Sequence, residues 1–92
     1  MTRSGLTSDT VVKAAGIVYV HWINISNDGT GAGTAGQIII EDADGTDRVL
    51  IPFASTQHQN LFISFDEPIR LEAGLNINFV SVTKTSVDLG YE

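Results

Sequence analysis

The sequence has no cysteine, so neither disulfides nor thiol chemistry can stabilise it or do work in it. Basic side chains are scarce: five against eleven acidic ones, a formal charge of −6. Arg3, Lys13, Arg48, Arg70 and Lys84 are scattered rather than clustered. Such a surface does not neutralise phosphates, so no nucleic-acid partner is expected. No apolar run approaches the roughly 18 residues that spanning a bilayer takes, and residues 1–10 lack the apolar centre of a secretion signal. The expectation is no membrane partner and folding in the cytoplasm. His21 and His58 are the only histidines, too few for a structural zinc site without cysteine.

A chain of 92 residues makes one domain. At this size it buries about 60–65% of its unfolded surface and is expected near the low end of the ~5–15 kcal/mol range of folded stabilities. With no staple available, association with further copies is the expected source of added stability.

The sequence is rich in strand signal. Residues 16–26, Gly-Ile-Val-Tyr-Val-His-Trp-Ile-Asn-Ile-Ser, place β-branched or aromatic side chains at nearly every position. Strict alternation puts Ile17, Tyr19, His21, Ile23 and Ile25 on one face and Val18, Val20, Trp22 and Asn24 on the other. Both faces are then apolar, where a half-buried strand would show only one. Further strands are expected at residues 9–14, 37–41, 48–53, 60–65, 69–71, 75–82 and 86–92. Residues 27–36 form a small-residue loop, Asp44-Gly45 a hairpin turn and Asp66-Glu67-Pro68 another turn. Pro52 suggests an edge position or the strand's end, and a phase change at Phe79-Val80 suggests a β-bulge. Residues 1–8 read as a flexible N-terminal arm ahead of a single domain at 9–92. About eight short strands with turn signals every 8–12 residues or so, and no helical period, predict an all-β antiparallel sandwich, jelly-roll-like.

Two apolar sets emerge. Ile23, Ile25, Ile38, Ile40, Val49, Ile51, Leu61, Ile63, Leu75 and Ile77 suffice for one core. Val18, Val20, Trp22, Ile39, Leu50 and Phe62 form a second set that a thin sandwich cannot easily also bury. Loops could fold over it; the sharper expectation is a subunit interface.

Chemical motifs are weak beside their plain alternatives. Gly31-Ala32-Gly33-Thr34-Ala35-Gly36 matches the dinucleotide fingerprint, but that site needs a helix after the loop and strand formers follow instead. No cofactor is expected. Asp42, Asp44 and Asp47 make a weak calcium candidate, although their order departs from the EF-hand and suits a hairpin turn. Ser55, His58 and Asp66 can be joined into a triad on paper with nothing to lock it, so no catalytic residue is assigned. Trp22 with Tyr19 and Asn24 could stack a sugar, but strict alternation sends Tyr19 and Trp22 to opposite faces, which favours interface packing for Trp22.

Several segments carry a likeness. Val11-Val12-Lys13-Ala14-Ala15-Gly16-Ile17-Val18-Tyr19, Ile23-Asn24-Ile25-Ser26-Asn27, Asp44-Gly45, Ile51-Pro52-Phe53, Gly74-Leu75 and Tyr91-Glu92 follow one another in an order that resembles small tailed-phage virion proteins. The resemblance implies a β-sandwich structural component of a virion, assembled in the host cytoplasm. A capsid cement or decoration protein that forms a dimer or trimer and binds the capsid lattice is the expectation. A neck or tail-fibre attachment protein, or a glycan- or calcium-dependent binding module, are the alternatives. No functional residue carries over, because the likeness is architectural.

Overall fold

In the computed structural model, which describes residues 1–56 and 59–92 and leaves the side chains of Asp47 and Arg48 undescribed, the regular structure is all strand. In order these are β1 (Thr2–Leu6), β2 (Thr10–Lys13), β3 (Val18–Asn27), β4 (Ala35–Glu41), β5 (Asp47–Ala54), β6 (Asn60–Leu71), β7 (Leu75–Val80) and β8 (Thr85–Tyr91). They form two four-stranded antiparallel sheets, β1-β8-β3-β6 and β2-β7-β4-β5. The pairs β1·β8, β2·β7, β3·β6 and β4·β5 each join the nth strand from one end with the nth from the other. The chain is thus one long antiparallel ribbon, tipped by the β4–β5 hairpin and rolled into a sandwich. That winding is a jelly roll, as the sequence predicts.

The core lies between the sheets. Seven of the ten expected core residues are buried there, and Val49, Leu61 and Ile63 pack against it partly covered. The tip of the ribbon is a tight turn in which the Gly45 amide donates to the Asp42 carbonyl and the Thr46 amide to Asp44 Oδ1. Gly45 adopts φ +89°, which is why Asp-Gly is read correctly as a turn. Pro52 sits on β5, an edge strand, as expected.

Four expectations change. First, Val18 and Val20 are fully buried alongside Ile23 and Ile25, although strict alternation places the two pairs on opposite faces. A bulge between Val20 and Trp22 inserts His21 as an extra residue against β8, where Tyr91 and Gly90 are consecutive partners. The phase flips there, and both apolar runs turn inward. Tyr19 and Trp22 consequently share the outer face. Val18 and Val20 are core, not interface.

Second, Asp66-Glu67-Pro68 is not a turn between strands. Between Trp22↔Ser64 and Val20↔Ile69, one residue of β3 faces residues 65–68 of β6, so the segment is an excursion inside a single strand. β6 is an edge, which tolerates a proline without N–H and two carboxylates. Third, the expected arm is largely β1. Its backbone adds to the free edge of β8, with Leu6 as its one buried side chain, so side-chain patterning carries no trace of it. Fourth, β7 pairs with β4 without a break through Val80. The phase change after Phe79 is the strand's end, where Ser81 takes φ +63° and returns Val82 to the core.

The bulge makes a firm prediction. Val20→Asp and Ile23→Asp should each unfold the domain, because each buries an unpaired charge. Ile23→Ala should cost about 2–5 kcal/mol in denaturant titrations. An unbroken two-residue period would instead let one of the two charged variants survive.

Candidate functional site

The outer face of the β1-β8-β3-β6 sheet is built around Trp22. Across the sheet its row reads Gly90, Trp22, Ser64, the next Asp88, Asn24, Phe62, and the next Ser86, Ser26, Asn60. Gly90 is what lets the indole lie down. A Cβ there would meet Trp22 at 2.1 Å from Nε1, 2.6 Å from Cε2 and 2.7 Å from Cδ1. Three such similar distances mean that the Cβ would enter through the face of the ring, so the indole is stacked on the Gly90 backbone. The Phe62 ring lies beside it, centroids 5.8 Å apart and planes inclined by 33°. Phe62 is 57% exposed.

Next to the indole, on the β8 side, is an open groove of about 360 Å³ that His21 and Glu92 also line. His21 Nε2 lies 2.9 Å from Glu92 Oε1, which orients the imidazole that the bulge has turned outward. At the far end of β3, Tyr19 pairs with Arg70. The hydrogen bond that Arg70 donates to the Tyr19 side chain, with the neighbouring Glu72 carboxylate, raises the Arg70 guanidinium above its ordinary value.

The outer face of the second sheet mixes aliphatic side chains with amides: Asn78 stands on the other side of Ile39 from Leu50. Ile39 stands opposite Leu50, and Gln37 stands between Pro52 and Val80. Leu50 is 51% exposed, while Ile39, in the middle of the patch, is only 8% exposed. The expected interface set is therefore divided three ways: Val18 and Val20 in the core, Trp22 and Phe62 on one outer face, Ile39 and Leu50 on the other. From the sequence, Pro52 and Val80 are marked for their backbone roles but neither is given a place in a surface patch, and Gly90 is not marked. Gly90 carried a usable signal, since a glycine inside a strand marks a close approach.

The remaining motifs serve the fold. Ser55 is 1% exposed, and its hydroxyl donates to the Lys84 carbonyl (2.9 Å) while accepting from Asn27 Nδ2 (3.1 Å). Asn27 Nδ2 also reaches the Gly31 carbonyl (2.7 Å), so this node ties the glycine loop to the turn before β8. Asp66 is exposed, and His58 lies outside the described residues. In the fingerprint-like loop, a Cβ on Gly33 would fall 2.1 Å from the Thr83 carbonyl oxygen and one on Gly36 2.1 Å from that of Val80. Those glycines are spacers for backbone contact. Of the calcium candidates, Asp42 is buried, Asp44 holds the turn, and the Asp47 side chain lies outside the description. Among the described residues no three His, Asp or Glu side chains are grouped to hold a metal.

Fold and site together define a jelly-roll module with an aromatic strip on one outer face and an aliphatic patch on the other. Comparison with protein-family models, curated proteins and solved structures finds no match to this chain.

Two predictions follow from this geometry. Gly36→Ala drives a methyl into backbone and should cost about 1–3 kcal/mol in denaturant titrations. Gly90→Ala meets only a side chain that can swing away, so it should lift the indole into water and red-shift its emission at a smaller stability cost. Asp28 supplies a pH dependence. Hydrogen bonds from the Thr30 hydroxyl and then the Thr30 amide, with Lys84 adding less, hold its carboxyl below the ordinary range. A depressed pKa stabilises at pH above the unfolded value, and that contribution disappears as pH falls through the folded one. The Thr30 amide shift should titrate with a midpoint below that of a free aspartate, and Asp28→Asn should abolish the transition.

Proposed function

We propose that this protein is a non-enzymatic structural component of a tailed-phage virion, a cement or decoration subunit whose copies associate and bind a capsid or tail lattice. The observation that carries the reading is the aliphatic patch of Ile39, Leu50, Pro52 and Val80 on an otherwise acidic chain. Leu50 and Val80 are exposed on this face, with Ile39 directly opposite Leu50, and such apolar surface brings a hydration cost that a second copy removes. A standard interface buries about 800 Å² per partner, roughly a sixth of the 4816 Å² surface of this chain. The jelly-roll winding, which virion shells use, and the order of sequence segments described above support the same reading.

Light scattering coupled to size exclusion tests it. The full chain should run as a dimer or trimer at micromolar concentration, and Leu50→Asp should run as a folded monomer. A wild-type monomer, or an assembly indifferent to Leu50→Asp, would contradict the reading.

A further inference from the structure

We infer that the outer face of the β1-β8-β3-β6 sheet is a binding platform for a neutral saccharide chain, with Trp22 and Phe62 as adjacent stacking rings and the groove beside Trp22 as a third position. This rests on a different face from the assembly patch and stands independently of it.

The first observation is the posture of the indole. Trp22 is stacked on the bare backbone of Gly90, with one ring face against the sheet, and the residue is only partly buried. A tryptophan packed for a protein core is enclosed by aliphatic side chains. This one is flanked by Ser64 on one side and, one row on, by Asn24 and Asp88. The second observation is Phe62, more than half exposed and inclined by only 33° to the indole. Rings tilted this far from perpendicular can serve one ligand as neighbouring surfaces. The mutually perpendicular walls that enclose a quaternary ammonium are a different arrangement.

The third observation is the rim. Around the two rings stand short hydroxyl and amide side chains (Asn24, Ser26, Ser64) and, across the groove, the His21–Glu92 pair. A pyranose has an apolar C–H face that lies on an aromatic ring and a rim of hydroxyls that takes hydrogen bonds from such groups. At about 360 Å³ the groove falls in the size range of small-ligand clefts. Charge removes the other stacking polymer. Single-stranded nucleic acid needs a positive track beside its aromatic platform; here the Met1 ammonium is a single positive charge at the groove, with Glu92 beside it and Asp88 one row on, on a chain of −6. The strip runs across β8, β3 and β6, so successive units of one linear chain would occupy groove, indole and phenyl in turn.

Trp22 is the single tryptophan of the chain, so its emission reports on the site directly. The full-length protein is titrated with neutral linear hexasaccharides of glucose, galactose, mannose and N-acetylglucosamine units, with single-stranded DNA and choline as the competing stacking ligands. The expected result is a saturable change in emission with at least one hexasaccharide, at a Kd of about 1 mM or tighter. Phe62→Ala, an exposed substitution that keeps both the fold and the reporter, should weaken that binding about tenfold. An emission that no hexasaccharide changes saturably, a Phe62→Ala protein that binds as well as wild type, or a response confined to DNA or choline would overturn the assignment.

Discussion

A strand that carries two apolar runs in opposite phase can bury both only if one extra residue separates them, and His21 is that residue in β3. Val18 and Val20 enter the core before it, Ile23 and Ile25 after it. β3 is the inner strand that pairs with both β8 and β6, so its bend is imposed on both neighbours. β6 answers with the excursion at 65–68, and β8 answers with Gly90, the one residue type that leaves room for the displaced indole. The position of Trp22 is therefore a by-product of filling the core, and the outer aromatic strip exists because the inside was packed first.

The two outer faces consequently have different chemistry. On the first sheet the bulge delivers rings among short polar side chains, with a groove where the strand bends away. On the second, the ladder of β4 with β5 and β7 sets Ile39 against Leu50 and places Pro52 and Val80 on either side of Gln37. Flat aliphatic surface suits a like surface of another copy, and flat aromatic surface with a hydroxyl rim suits a polar ring. Loop side chains are committed elsewhere: Ser55 and Asn27 close the glycine loop, and Asp44 holds the ribbon's tip.

Much of the fold was legible because it is written in local terms. Asp44-Gly45 announces its turn, Pro52 its edge, and Ile38 and Ile40 of β4 their burial in the core. What could not be read from the sequence was set by partners distant along the chain. The bulge at His21 is specified by where Tyr91 and Gly90 fall on β8, about seventy residues away, and nothing local in Val-Tyr-Val-His-Trp-Ile marks it. β1 is held through backbone pairing and one leucine, which polar composition conceals. Unbroken alternation through β3 sends Val18 and Val20 to a surface they never reach and sets Tyr19 opposite Trp22, whereas the bulge turns both of those rings outward.

The phase change in β3 lays the indole over Gly90, and proton NMR reads both at one residue. A ring stacked on the Gly90 backbone shields its α-protons, which should resonate well upfield of ordinary glycine and show nuclear Overhauser effects to the indole of Trp22. Gly90 α-protons at ordinary shifts, with Trp22 instead giving Overhauser effects to core isoleucines, would contradict this placement of the indole.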